Sequence, residues 1–402
     1  MKVMQINSHY NSGGAGKIVA YLHRQLLAHG VESRVAYGRG NKVAEAGVTR
    51  IGSEAQNQLD AALTRVTGIA GFHSRAATRQ LVRLLAAEKP DVLHLHGLHG
   101  YYLHYGILFD YINANNLPCV WTFHDCLAFT AQCGYPYDCN RYVNGCHDCP
   151  LKRDYPATYG PDFSAWMWKK KKALFTATEN KIIVSPCEWM TGMARGSFMG
   201  KYPCVTVNNG IDTEGTFRYR GQSACREALG LDGDGKIALA VAYGAENPRK
   251  GVKFVLQAAR DLPGITFVII GCNEKLRAET AGMDNVIARG FTVDQEELAR
   301  FYGAADVFLL PSLAENYATA AVEALACGTP VVGFHVGGIP EQAQDIFGET
   351  VPVGDQAAFE HALSAWCRRD TNKAAIAAVI REKNAMQVMF AQYYELYGSL
   401  CG

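Results

Sequence analysis

Two carboxylates eight positions apart, Glu315 and Glu323, are the residues in this chain most suited to holding a polar ligand. They lie in PSLAENYATAAVEALACGTPVVGFHVGGIPE (311–341), which reads as a strand end, a loop, a helix from about Ala318 to Cys327, a stop at Gly328 and a further strand. On one α-helix such a pair is separated by ~12 Å along the axis and about 80° around it, so both can line one elongated ligand. That spacing suits two sets of vicinal hydroxyls, one on a sugar and one on a ribose. Between them the helix start offers free N–H groups and a favourable dipole for a diphosphate, and Ala318, Thr319 and Ala320 are small enough to let phosphate approach the backbone. A double-displacement pair of carboxylates needs ~5 Å, which Glu315 and Glu323 cannot supply if they straddle a diphosphate.

Other candidates are spread along the chain. Lys250, in Pro248-Arg249-Lys250-Gly251, is expected at a helix N-terminus beside a diphosphate, and Arg249 is its neighbour, although adjacent side chains on a turn usually diverge. Gly13-Gly14-Ala15-Gly16 follows the first strand and opens the first helix, a geometry in which Gly14 and Gly16 can admit a phosphate or sugar to the backbone. A dinucleotide fold would need G-x-G-x-x-G and an acidic end to the second strand; that strand ends Ala36-Tyr37-Gly38. A glycine turn without a ligand is the remaining alternative. His124 lies just past the strand Cys119–Phe123, and Asp125 beside it is placed to hold a ring nitrogen or touch an acceptor. His94 and His96 share a strand face with apolar neighbours, one suited to the core and one to a cleft; with His99 they resemble a metal cluster, but no metal is assigned to them.

Two segments call for a different chemistry. Cys133, Cys139, Cys146 and Cys149 fall within 17 positions, the last two as C-x2-C, among glycine and asparagine turns. In a reducing compartment this pattern fits a closed, structural zinc site with four thiolates. Disulfides in an oxidising compartment and unliganded thiols are the alternatives. Trp166-Met167-Trp168 followed by Lys169, Lys170, Lys171 and Lys172 has the composition of an interfacial membrane contact, or of a solvated face with two core tryptophans.

The elements that must position these residues are short, continuously apolar runs alternating with helical stretches: 2–7, 33–37, 91–96, 119–123, 181–186 and 204–208, then 236–242, 265–271, 285–290, 307–311 and 330–334. That is the pattern of parallel strands buried on both faces, here twice over, so the fold class is α/β with two Rossmann-like doubly wound domains. The expected divisions are an N-terminal domain over 1–207 with the cysteine-rich insert at 126–150, a polar linker over 208–222, a C-terminal domain over 223–370 and a helical segment over 371–402. Ligands bind at the carboxyl ends of such strands, so the cleft between the two domains is the expected site.

A chain of 402 residues is too long for one ordinary core. No run of 18 or more apolar residues occurs, so no membrane-spanning helix is expected. The N-terminus lacks the pattern of a signal peptide, so thirteen cysteines point to reduced thiols and a cytoplasmic protein. The net charge of +1 conceals a polarity. Through Thr206 there are 22 Lys+Arg against 14 Asp+Glu; beyond it, 17 against 24. A first half carrying +8 is suited to an anionic partner, or to an acidic second half.

The segment holding Glu315 and Glu323 resembles the E-x7-E signature of retaining glycosyltransferases of family 4, which have the two-domain GT-B fold. The likeness runs through NSGGAGKIVAYLHRQLLAHG, PDVLHLHGLHG, VWTFHD, KIIVSPCEWMTGMARGSF, VNNGIDTEGTF, NPRKG and ALACGTPVVGFHVGGIPE. The cysteine-rich insert after TFHD is closest in flavour to exopolysaccharide and colanic-acid-type bacterial members. The resemblance implies transfer from a UDP- or GDP-sugar with retention of configuration and no catalytic cofactor. Glu315 and His124 would hold the sugar, Glu323 the ribose, and Lys250 with the helix start at Thr319 the diphosphate. The family usually has a second cation upstream of Lys250, where this sequence has Gly244 or Ala245; Arg249 could replace it. The acceptor implied is a glycan or lipid-diphosphate-linked oligosaccharide of exopolysaccharide, capsule or O-antigen synthesis. Such an acceptor goes with peripheral contact at the inner face of the plasma membrane and with no nucleic acid. The rival functions are a GT-B epimerase or hydrolase of nucleotide-sugars, and a silent nucleotide-sugar-binding protein.

Overall fold

The computed structural model describes residues 1–241 and 247–401. Its contacts divide the chain into two units, Met1–Asn208 with Phe390–Gly402, and Asn209–Met389. Each is a parallel sheet with helices between most successive strands, and most of the strands are apolar runs buried on both faces.

In the first unit the strands are β1 (Lys2–Asn7), β2 (Glu32–Tyr37), β3 (Val48–Arg50), β4 (Val92–Leu95), β5 (Cys119–Thr122), β6 (Lys181–Ser185) and β7 (Cys204–Thr206). They form a seven-stranded sheet in the order β3-β2-β1-β4-β5-β6-β7. In the second unit β8 (Lys236–Val241), β9 (Ile265–Ile270), β10 (Val286–Arg289), β11 (Val307–Leu310), β12 (Val331–Phe334) and β13 (Gly348–Val351) are ordered β10-β9-β8-β11-β12-β13. Strand order reverses between β1 and β4 and between β8 and β11, and at such a reversal the connections leave on opposite faces and open a crevice. The second unit's two cores show the period of two directly. Leu239, Val268, Ile270, Phe308 and Val331 pack on one face, and Ala238, Ala240, Phe267, Ile269, Val307 and Val332 on the other.

All of the apolar runs read from the sequence are strands here. Two further strands, β3 and β13, lie at sheet edges; VTR and GETV are short, polar and only partly buried, so they carry no apolar signal. Residue 242, at the end of one expected strand, and the Gly244–Ala245 positions of the missing cation lie outside the described residues. The terminal helical segment divides between the units. Its last helix, Met386–Cys401, begins in the second unit and ends in the first, where Tyr393 and Tyr397 are fully buried. Among the described residues no helix is long and apolar enough to cross a membrane.

Candidate active site

In the second unit, the carboxyl ends of β8, β9 and β11 open into a pocket of about 650 Å³ of empty space. Lys250, Ser312, Glu315, Ala318, Thr319 and Ala320 are among its lining residues. Two glycines bring the cation and the carboxylate together. Gly251 has φ +68° and sits so close to the loop after β11 that a Cβ would lie 1.8 Å from the Pro311 carbonyl oxygen. The turn it ends, Pro248–Lys250, is capped by Asn247 and accepts a 2.7 Å hydrogen bond from Leu313 N to Arg249 O. Gly337, φ +55°, packs equally tightly from the other side, where a Cβ would meet the Glu315 carbonyl oxygen at 1.6 Å. Side chains larger than hydrogen at either position would push Lys250 and Glu315 apart.

The contact so enforced is an ion pair. Lys250 Nζ lies 2.8 Å and Arg249 Nη1 3.3 Å from Glu315 Oε2, and Arg249 also donates to Ala314 O at 2.6 Å. The adjacent basic side chains therefore converge, where neighbours on a turn were expected to diverge. Burial pushes the Glu315 carboxyl up, but Lys250 and Arg249 outweigh it and hold the group below its ordinary value, as an anion.

Glu315 is not on the helix. It stands in the loop Ser312–Ala318, and the helix runs Thr319–Ala326, so the ~12 Å helical spacing does not describe this pair. Glu323 is one turn beyond Thr319 on the helix face that also leaves Thr319 and Ala320 accessible, while the helix residues around them are buried. Two positioning residues have no sequence motif. Gln342 clamps the helix start, with its side-chain amide accepting from Ala318 N (3.2 Å) and donating to Ala318 O (3.0 Å). Tyr302, fully buried, donates its hydroxyl to Glu323 Oε2 at 3.1 Å.

The first unit has its own cluster where β4 and β5 end. His96, His99, His124, Asp125 and Trp121 are among the residues lining a pocket of about 330 Å³. His94 bonds Tyr397 OH (2.6 Å) and Thr122 Oγ1 (2.8 Å), and its ring lies 3.8 Å from that of His96. His96 Nδ1 is in turn 3.1 Å from His124 Nε2, with the two rings stacked. Burial takes the His94 and His96 imidazoles well below the usual range and pulls His124 down to about 4, so the array is neutral at physiological pH. Asp125 holds a ring nitrogen, that of His99 (2.7 Å), and accepts from Leu127 N at 2.9 Å. Burial pushes the Asp125 carboxyl up, yet His99 brings it below the ordinary value.

With the geometry set out, the chain can be placed among known proteins. The profile described as Glycosyltransferase Family 4 matches residues 12–215, and that of Glycosyl transferases group 1 matches residues 222–382. The chain belongs to Glycosyltransferase Family 4. Over 370 residues it is 26% identical to WcaC of Escherichia coli (strain K12), a glycosyl transferase assigned to colanic acid biosynthesis, with 87% of each chain covered. It is 33% identical over 176 residues to a D-inositol 3-phosphate glycosyltransferase of Mycobacterium sp. (strain JLS), covering 40% of this chain and 39% of the other. Among solved structures, its fold is similar to sucrose-phosphate synthase from Thermosynechococcus elongatus, with a TM-score of 0.71 at 20% identity over 99% and 98% of the chains. The Anabaena Alr3699/HepE complex with UDP and glucose matches at a TM-score of 0.67 and 15% identity, over 99% and 100%.

This family 4 chain is thus a glycosyltransferase using a nucleotide-sugar donor. Its remaining sequence candidates fall as follows. Gly14 is exposed in the first turn of the helix Gly13–Ala28, whereas Gly16 is buried, where a Cβ would come within 3.2 Å of His9 O. Cys133, Cys139, Cys146 and Cys149 all line one small pocket in the insert. In the tryptophan–lysine helix, Ser164–Phe175, Trp168 is buried and Trp166 is 40% exposed, so only one of the two is core. Lys171 departs from the reading of a solvated face: it is buried and donates to Leu127 O (2.8 Å) and Thr130 O (3.2 Å).

Proposed function

We propose that this enzyme transfers a hexosyl group with retention of configuration from a UDP- or GDP-sugar to a lipid-diphosphate-linked oligosaccharide, in exopolysaccharide, capsule or O-antigen assembly. The observation that carries the donor side is the Lys250–Glu315 contact, which lines the pocket at the carboxyl ends of β8 and β11 and is followed closely by a helix start. In this reading the diphosphate lies against Lys250 and the N–H groups at Thr319, where charge appears as the glycosidic bond breaks. Glu315 takes sugar hydroxyls, Glu323 the ribose and His124 the sugar near its reacting carbon. The acceptor hydroxyl attacks from the face the diphosphate leaves, and its proton passes to the departing phosphate oxygen, which needs neither a protein nucleophile nor a metal.

The UDP carried by the Anabaena neighbour supports a uridine donor, and the colanic acid assignment of the E. coli relative supports a polysaccharide pathway. A lipid-linked acceptor is supported by the surface of the first unit. Leu59, Leu63 and Val66, at i, i+4 and i+7 of the helix Glu54–Thr67, are exposed with Trp166 and Tyr159, and Arg65, Lys169, Lys170 and Lys172 are exposed as well. Such a surface supports a peripheral contact at the inner face of the plasma membrane. The test is transfer from a panel of UDP- and GDP-sugars to lipid extract, with the anomeric configuration of the product read by NMR. An inverted product would refute the mechanism.

A further inference from the structure

The insert between β5 and the helix Ser164–Phe175 contains almost no regular structure; the single turn Cys126–Ala128 is its one helical element among the described residues. Its chain nevertheless folds back so that Cys133, Cys139, Cys146 and Cys149, contributed by three separate stretches, line one pocket. Polar backbone contacts hold the C-x2-C turn. Arg141 donates to the carbonyl oxygens of His147 (2.7 Å) and Asp148, Gly145 N donates to Arg141 O (2.9 Å), and Cys149 N donates to Asp162 Oδ2 (2.7 Å). Asp148 adopts φ +41°, which reverses the chain between Cys146 and Cys149. None of the four is in a disulfide. Cys133 is buried and Cys139, Cys146 and Cys149 are half-buried, so four thiols are withdrawn from solvent around one pocket.

A second observation comes from beneath the insert. Lys171 is 1% exposed, and its ammonium meets two carbonyl oxygens, Leu127 O and Thr130 O, from the chain leading into Cys133. Among the described residues no carboxylate forms an ion pair with it. A buried ammonium with no paired carboxylate is costly, and Asp125 acts on this one only through space. Neutral thiols and disulfides add no negative charge beside it beyond that of Asp125. Four thiolates around one divalent cation carry a net charge of −2 and would compensate it.

We propose that Cys133, Cys139, Cys146 and Cys149 bind one structural zinc ion as thiolates, with Lys171 as the buried counter-charge of the anionic centre. Among the described residues no three cysteine, histidine, aspartate or glutamate side chains already stand around a common ligating point. Binding therefore turns the thiols inward as each gives its proton to solvent and its sulfur lone pair to the metal. The same insert also touches the histidine cluster. Tyr155 OH lies 3.2 Å from His99 Nδ1, and the opposite nitrogen of His99 bonds Asp125, next to His124. This proposal stands apart from the donor and acceptor assignments.

The test uses full-length protein purified under reducing conditions without chelator. Elemental analysis should find about one zinc per chain, and a thiol-modifying mercurial should release it to a zinc-sensitive dye. Metal-stripped wild type titrated with Co²⁺ should show the visible bands of a tetrahedral cobalt thiolate, and Lys171→Met should lose zinc to a competing chelator more readily than wild type. Cys401→Ser, at an exposed cysteine outside the insert, should keep the metal. Replacing the insert cysteines could unfold it, so the wild-type cobalt titration decides. Folded wild type that holds no zinc and gives no thiolate bands would overturn the proposal, as would disulfides among the four cysteines by mass spectrometry.

Discussion

Replacing Lys250 with alanine separates a catalytic from a structural role, because the structure sets the two costs far apart. In the folded protein Lys250 shares Glu315 Oε2 with Arg249, and Asn316 N also donates to Glu315 Oε1 at 3.3 Å. Removing the lysine leaves the carboxylate with a cation and a donor, and the Lys250 side chain is already 30% exposed. The loss of stability should therefore be about 1–2 kcal/mol, between an exposed pair and a fully buried pair that loses its only partner. It should be largest at neutral pH. The Glu315 carboxyl is held below its ordinary value, so the pair stabilises fully above the unfolded carboxylate range and the benefit disappears as pH falls through the folded value. At the reacting centre the charge on the departing diphosphate rises as the bond breaks, and losing one preorganised donor there costs about 2.7–4 kcal/mol, or ~10²–10³ in kcat. The assay is nucleoside diphosphate release at saturating donor, run beside thermal unfolding of the same preparation. A fall in kcat of ~10² with a melting shift of a few degrees is the expected result. An unchanged kcat with a raised KM, or a loss that follows the unfolded fraction, would refute the role in leaving-group stabilisation.

Glu323→Ala should weaken binding of the free nucleoside diphosphate by about 1.5–3 kcal/mol, the range for hydrogen bonds to a charged group; unchanged affinity in calorimetry would remove it from the ribose. Glu315→Gln and His124→Ala should lower kcat more than donor affinity, and an effect confined to KM would move both away from the reacting carbon. Because His94, His96 and His124 are buried as neutral rings with lowered pKa values, the unfolded chain takes up more protons than the folded one once pH drops below the ordinary histidine value of about 6.5. The melting temperature should therefore fall from pH 7.5 to pH 5.5, and a flat profile would contradict the buried array. Replacing Lys169, Lys170 and Lys172 with glutamine, leaving the buried Lys171 in place, should release the enzyme from anionic vesicles at low salt with donor binding intact; equal sedimentation of variant and wild type would end the membrane assignment.

Buried parallel strands were legible because they need apolar side chains on both faces, and β3 and β13 were not because VTR and GETV are edge strands too short and polar to stand out. The glutamate motif led to a pocket at the strand ends, but with a local geometry other than the helical spacing applied to it. The sequence already puts Glu315 in a loop before the helix, so helical spacing could not apply to it, and the packing of Gly337 against the Glu315 backbone that sets its position has no local signal. Contacts made across long sequence separations left no local trace. Tyr302 beneath Glu323, Gln342 on the helix start, and Tyr393 and Tyr397 beneath Thr122 and His94 belong to no motif, and each is recognisable only once the chain is folded. Lys171 was hidden by its neighbours. A run of four lysines has no internal sign of which one faces inward, and the helical turn that buries Met167, Trp168 and Phe175 takes Lys171 with them.

The most direct test of sugar transfer at the Lys250–Glu315 pocket is nucleoside diphosphate release from UDP- and GDP-sugars, measured with and without bacterial lipid extract, for wild type and Lys250→Ala. Wild type should release diphosphate from a cognate donor only when extract is present, and the variant should fall by ~10². Equal release without extract would mark a hydrolase, and donor binding with no release under either condition would mark a silent binder; either result would contradict the account.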